Sequence, residues 1–336
     1  MKIAIIGAGS WGTAIGIVMA KSGHETILWA RETEISAGIN KNKINPNYLV
    51  NVKLPDSLKC SNNFELVLNG ADVVIFATPS HTLREIATQV SSFLKGNETI
   101  INLAKGIEND TYYTMSQVLT EVLEKKIDPE KIAVLYGPSH AEEVAKDLPT
   151  TVVVASNSMK TANFVQSLFR TPMFRVYINR DIKGVEIAGS IKNIMAIAAG
   201  LADGCEFGDN ANAALITRGL QEIRRLGMRL GASQDTFQGL AGVGDLVVTC
   251  TSEHSRNRFV GYHIGKGEKL EDIIGKMNMV AEGVKTTKSV YNWAKKLQIE
   301  MPITESVYQV LFEGLSPKDG VYKLMTREQK EEITFY

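Results

Sequence analysis

The chain opens on an unbroken apolar run, Ile3 to Ile6, followed by glycines at 7, 9 and 12 and then by Ile15, Val18 and Met19. A short continuous apolar run reads as a fully buried strand, and apolar residues recurring three and four apart read as a helix. Ser22-Gly23-His24 ends that helix, and Glu25 to Arg31 reads as a second strand. The polar stretch from Ser36 to Pro55, rich in Asn around Ile44 to Tyr48, reads as a helix and an irregular connection. Further buried strands are predicted at Ala71 to Ala77, Thr99 to Ala104, Ile132 to Tyr136, Thr151 to Ala155 and Phe174 to Ile178, with an amphipathic helix over Leu83 to Leu94. Strands alternating with helices over about 180 residues imply a mostly parallel sheet with helices on both faces. After Asp181 helical patterns dominate: Val185 to Leu201, Ala211 to Leu230, Leu270 to Met277, Thr286 to Leu297 and Ile303 to Phe312. A short strand near Val247 is the one exception, and the charged tail, Arg327 to Glu332, reads as a solvated end. The predicted architecture is a doubly wound α/β sheet over residues 1–183, followed by an all-α C-terminal domain over 184–336.

The first turn has a chemistry of its own. Strand, G-x-G-x-x-G and helix are the context in which this spacing signifies dinucleotide binding, in a Rossmann-like sheet. Gly7 permits the tight turn, Gly9 leaves the backbone open to a pyrophosphate, and Gly12 lets the helix lie close on the strand. The free N–H groups at the helix start then face the phosphates. An acidic residue about 20 positions beyond the turn marks an NAD-specific site. Arg31 stands at that place, and its planar fork suits a ribose 2′-phosphate, although Glu32 follows it directly. NADPH is therefore expected as the preferred cofactor, with NADH as the alternative. Thr78-Pro79-Ser80 ends a strand, so Pro79 and Ser80 are expected near the cofactor; His81 reads as a solvent-facing helix-start residue.

Composition narrows the rest. Lys plus Arg and Asp plus Glu number 37 each in 336 residues, and this balance argues against a general nucleic-acid or membrane-surface binder. Three scattered cysteines suggest a reducing compartment without disulfides, and with five histidines they show no metal-ligand spacing, so no metal is expected. No signal peptide is read at the apolar start, and no run reaches the ~20 apolar residues of a spanning helix. The expected location is cytoplasmic.

Lys192 lies in Gly189-Ser-Ile-Lys-Asn-Ile-Met-Ala-Ile-Ala-Ala-Gly200. It is either a buried ammonium that needs a partner or the exposed stripe of that helix. Lys105 ends a strand on the ligand side of the sheet. Asp245 follows Gly242-Val-Gly244, and Ser255, Arg256, Asn257 and Arg258 put donors in a row, which suits a phosphate or else forms a solvated basic turn.

Along nearly its whole length the sequence resembles the bacterial-type NAD(P)-dependent glycerol-3-phosphate dehydrogenases. The matching stretches are Gly7-Ala-Gly-Ser-Trp-Gly-Thr-Ala, Asn102-Leu-Ala-Lys-Gly-Ile-Glu, Gly137-Pro-Ser, Gly189-Ser-Ile-Lys-Asn, Asn210-Ala-Asn-Ala-Ala-Leu-Ile-Thr-Arg-Gly-Leu, Gly239-Leu-Ala-Gly-Val-Gly-Asp-Leu, Cys250-Thr-Ser to Ser255-Arg-Asn-Arg, and Glu282-Gly-Val-Lys-Thr-Thr. Their joint order carries the resemblance. It implies that Ser10, Trp11, Arg31, Lys105, Ala141, Arg256, Val280 and Glu282 contact the nucleotide. It also implies that Lys105, Gly137, Ser139, Lys192, Asp245, Ser255, Arg256 and Asn257 contact glycerol phosphate. By the same likeness Lys192 is the proton donor and acceptor, Lys105 adds positive field, and Asp245 orients Lys192 or binds a substrate hydroxyl. A homodimer and a role in supplying glycerol phosphate for phospholipids are implied as well. A related two-domain reductase acting on a hydroxy acid or ketopantoate stays an alternative, against which the Ser255–Arg258 donors argue for a phosphate. A non-catalytic redox sensor that only binds the dinucleotide is the other alternative, and the set Lys105, Lys192 and Asp245 argues against it.

Overall fold

The computed structural model describes residues 1–277, 281–329 and 331–332. Eight strands form one sheet: β1 (Lys2–Ile6), β2 (Glu25–Trp29), β3 (Lys59–Ser61), β4 (Val73–Phe76), β5 (Thr99–Asn102), β6 (Ile132–Tyr136), β7 (Thr150–Ser156) and β8 (Phe174–Asn179). Their order is β3-β2-β1-β4-β5-β6-β7-β8, parallel throughout except where β7 runs against β6. The order in which successive strands are added reverses between β1 and β4, which pair parallel from Ile3 with Val73 to Ile6 with Phe76. That reversal opens a crevice beyond the carboxyl ends of β1 and β4.

Period-two alternation explains why these runs are apolar throughout. Ile3, Ile5, Val73 and Ile75 enter the core on one face, with Ala14, Ile15 and Ile17 of the first helix (Ser10–Lys21). Ala4, Ile6, Val74 and Phe76 enter the core on the other, with Leu83, Ala87 and Val90. At β6 the arrangement changes: Ala133 and Leu135 stay with the first core, whereas Val134 and Tyr136 join the core of the helical half.

The helical half is built around Ile182–Gly204, in which every residue from Gly184 to Ala202 is buried. By length and composition this 23-residue helix could cross a membrane, unlike the expectation that no segment is long and apolar enough; its apolar stretch is buried inside the protein. Its apolar surface runs all round because it has neighbours on all sides. The helix Arg256–Gly265 packs on it through glycines: a Cβ on Gly200 would sit 2.0 Å from the Arg258 carbonyl oxygen, and one on Gly261 2.0 Å from that of Ile197.

One expected element differs. The segment around Val247 is not a strand but the helix Asp245–Thr251, with Leu246, Thr249 and Cys250 buried at helical spacing and Val247 exposed. β3, the helices Met115–Leu123 and Met159–Leu168, and the helix Arg256–Gly265 have no counterpart among the predicted elements. Of the described tail residues, Glu328, Gln329, Glu331 and Glu332 are exposed, as expected of a solvated end, and surface contacts join Arg327 to Glu300 and Arg218 to the Glu332 carbonyl.

Candidate functional site

The three glycines of the first turn are demanded by different neighbours. Gly7 has φ +117°, and a Cβ there would lie 2.7 Å from the Ala77 carbonyl oxygen. A Cβ on Gly12 would lie 2.0 Å from the Gly7 carbonyl oxygen, so the helix can rest on the turn only as glycine. At Gly9 the backbone is ordinary (φ −70°) and a Cβ would meet nothing within 4 Å. Protein packing therefore explains Gly7 and Gly12, whereas Gly9 keeps the floor of an open cleft free. With the helix Ser10–Lys21 starting above that floor, the turn fits a dinucleotide pyrophosphate.

The cleft has a volume of about 640 Å³ and extends from this turn to the helical half. Of the residues expected at the site, Gly7, Gly9, Ser10, Trp11, Arg31, Lys105, Ser139, Ala141, Lys192, Asp245, Ser255, Arg256, Asn257 and Glu282 all line it. Gly12 lies beneath the turn. Gly137 contributes its carbonyl, which accepts from Lys105 Nζ at 3.3 Å and Ser139 Oγ at 2.9 Å. Val280 lies outside the described residues. Tyr48, His140, Thr249 and His254 also line the cleft and were missed. Tyr48 belongs to the stretch read as an irregular connection, and Thr249 to the segment read as a strand.

At the centre of the cleft the question left open for Lys192 is decided by packing. Its side chain is 7% exposed, and its ammonium donates to Asp245 Oδ1 at 2.5 Å and to Thr249 Oγ1 at 2.6 Å. The other carboxylate oxygen of Asp245 accepts from Lys105 Nζ at 2.7 Å, so one buried carboxylate bridges two cations from opposite halves of the chain. Lys105 also lies 5.5 Å from the centre of the Tyr136 ring. Burial, and then the nearby Lys105 charge, pull the Lys192 ammonium down to about 8 against the support of Asp245. Burial alone would raise the Asp245 carboxyl, but the two ammonium groups outweigh it and hold it below its ordinary value. A lysine whose proton is held this loosely can give it up and regain it near neutral pH.

Ser255 begins the helix Arg256–Gly265 and its hydroxyl accepts from the Arg258 N–H at 3.3 Å. Asn257 Oδ1 accepts from the Gly283 N–H at 2.9 Å, which ties this helix to Glu282–Leu297. The row of four donors is not a row in space. Arg256 faces the cleft, whereas Arg258 turns away to Asp203 at 2.6 Å, because residues two apart on a helix point in nearly opposite directions. Glu282 accepts from the Ser80 N–H at 2.7 Å; burial pushes its carboxyl up, opposed by that bond and by Arg256. His140 is held below the usual histidine range by burial and by Lys192. Arg31, 80% exposed, is bonded through Nε and Nη2 to Glu32 at 3.0 and 2.7 Å. Among the described residues no group of His, Cys, Asp and Glu is gathered as a metal site.

A glycine turn at the switch point of a doubly wound sheet, facing a buried lysine on a separate helical unit, defines the two-part nucleotide-dependent dehydrogenases. The family model described as NAD-dependent glycerol-3-phosphate dehydrogenase N-terminus matches residues 2–162, and its C-terminal counterpart matches 181–322. A protein of Chlorobium phaeobacteroides (strain BS1) named glycerol-3-phosphate dehydrogenase [NAD(P)+] is 50% identical over 335 residues, covering 100% of both chains. The solved glycerol-3-phosphate dehydrogenase of Coxiella burnetii is similar with a TM-score of 0.92 and 38% identity, over 97% of this chain and 98% of that one. A ketopantoate reductase from Ralstonia eutropha shares the fold, with a TM-score of 0.62 at 14% identity over 96% and 100% of the two chains. The chain belongs to the glycerol-3-phosphate dehydrogenase family.

Proposed function

We propose that the protein catalyses the reversible reduction of dihydroxyacetone phosphate to sn-glycerol 3-phosphate with NAD(P)H, NADPH preferred, and so supplies glycerol phosphate for phospholipids. The observation that carries this reading is the Lys105–Asp245–Lys192 centre lying in one cleft with the glycine turn. Residues 1–183 would supply most of the nucleotide site and residues 184–336 most of the substrate site, with each part lending residues to the other, in a cytoplasmic homodimer.

The nicotinamide, when bound, supplies the hydride. Gly9, Ser10, Trp11, Arg31, Ala141, Val280 and Glu282 would hold the nucleotide, on the turn that Gly7 and Gly12 allow to form. Lys192 gives its proton to the C2 oxygen during reduction and recovers it during oxidation. Lys105 sets a second positive charge where that oxygen becomes negative. Asp245 keeps both ammonium groups in place. Arg256, with Ser255, Asn257, Ser139 and the Gly137 backbone, receives the glycerol phosphate.

Steady-state rates with dihydroxyacetone phosphate and each reduced cofactor test the activity. Loss of a buried charged partner costs roughly 2–5 kcal/mol, or about 30- to 4,000-fold. Lys192→Ala should therefore abolish turnover while NADPH still binds, and Arg256→Ala should erase the preference for phosphorylated over unphosphorylated dihydroxyacetone. Wild-type turnover in the first variant, or unchanged discrimination in the second, removes the assigned role.

A further inference from the structure

Asn45 lies in the polar stretch that the sequence pattern marks only as a connection, yet it is 0% exposed. Its amide uses both ends. Nδ2 donates to the Ala8 carbonyl at 2.8 Å and to Thr13 Oγ1 at 2.9 Å. Oδ1 accepts from the backbone N–H groups of Asn47 at 3.2 Å and Tyr48 at 3.1 Å. Ala8 is the middle residue of the glycine turn, and Tyr48 lines the same cleft beside Arg31 and Glu32. One buried side chain thus fastens the floor of the cleft to the segment that forms its rim.

We propose that Asn45 is a positioning residue of the cofactor site, holding the glycine turn and Tyr48 as one preformed seat for the dinucleotide. The proposal rests on the reading that this cleft takes NAD(P)H. Its physical basis is that a turn which binds through backbone N–H groups is only as well aimed as the bonds behind it. Without Asn45, the Ala8 carbonyl keeps only the long Thr13 hydroxyl contact, at 3.3 Å, and the N–H groups of Asn47 and Tyr48 lose their acceptor. The hydrogen bonds of Asn45 go to Ala8, Thr13, Asn47 and Tyr48 and to none of Lys192, Asp245 and Lys105, so the chemical step is spared.

The test compares Asn45→Ala and Asn45→Asp with the wild type. Asp keeps the acceptor for the rim but loses the donor to the turn. The readouts are NADPH dissociation constant by fluorescence, KM for each substrate, kcat, and thermal melting. Loss of two hydrogen bonds of ordinary strength predicts a rise in NADPH Kd and KM of roughly 10- to 100-fold. Saturated kcat and the KM for dihydroxyacetone phosphate should stay within about twofold, the separation expected when only uniform cofactor binding is lost. An unchanged NADPH Kd overturns the proposal, as does a parallel fall in kcat. If neither variant accumulates as folded protein, Asn45 serves folding alone and the proposal also fails. If wild-type protein binds NADPH without reducing dihydroxyacetone phosphate, the functional reading fails while the NADPH titration still decides the role of Asn45.

Discussion

Replacing Asp245 by Asn tests the charge arrangement at the centre of the cleft. The Asp245 side chain is 2% exposed and accepts from two ammonium groups, at 2.5 and 2.7 Å. Asn has almost the same shape but no charge, and it presents an amide N–H₂ to one of the two lysines. Removing one partner of a buried ion pair costs roughly 3–5 kcal/mol, equivalent to roughly 150- to 4,000-fold at about 1.4 kcal/mol per tenfold. The chain can relieve the strain by shedding a proton from Lys192, already down to about 8 because of burial and Lys105. With Asp245 neutral, its chief support disappears and the midpoint should move to acid by about one pH unit or more. Reduction needs the ammonium, so wild-type reduction should fall as pH rises through about 8 and oxidation should rise there. In Asp245→Asn both limbs should move to lower pH, and reduction at pH 7.5 should drop by at least about threefold from the titration alone. The assay is kcat/KM in both directions from pH 5.5 to 10, followed at the NADPH absorbance band. An unmoved midpoint, whatever the amplitude, would refute the argument. The stability sign is also set. Because the folded ammonium ionises below its ordinary 10.5, the unfolded chain binds more protons between about 8 and 10.5. The contribution of Lys192 to stability therefore rises with pH across that window.

Two further substitutions separate packing from binding. Gly9→Ala places its Cβ in open space and should melt close to the wild type while raising the NADPH KM; Gly12→Ala meets the Gly7 carbonyl at 2.0 Å and should lower the melting temperature by several degrees. Equal melting temperatures for the two would contradict the assignment of each glycine. Arg31→Ala removes a side chain that is 80% exposed and bonded to Glu32, so the loss of NADPH preference should be no more than about fivefold. It also frees the Glu32 carboxylate to accept a ribose hydroxyl, so NADH efficiency should hold or improve; unchanged efficiencies with both cofactors would remove Arg31 from the site.

Much of the nucleotide half was legible because its information is local. Strand, glycine turn and helix occupy consecutive residues, and each strand's burial on both faces shows as an unbroken apolar run. The helical half was legible as helices but not as a site. Leu246-Val247-Val248 suggested a strand because β-branched residues favour one, yet the burial of Leu246, Thr249 and Cys250 is helical. Ser255 to Arg258 looked like four adjacent donors. Once a helix begins at Arg256, Arg258 is carried round to Asp203. Asn45 had no signal of its own in the sequence, since its partners Ala8 and Thr13 precede it by 37 and 32 residues.

By itself the sequence determined the doubly wound sheet, the nucleotide turn, the helical second half and the residues that could hold charge, because local spacing and apolar periodicity encode backbone form directly. Only the tertiary structure decided that Lys192 is buried rather than exposed, and that Lys105, 140 residues from Asp245, shares its carboxylate. Those outcomes depend on glycine-mediated packing of the Arg256–Gly265 helix against Ile182–Gly204 and on that half seating against β6 and β7. A buried charge needs partners from distant segments, and no local pattern specifies which segments will supply them.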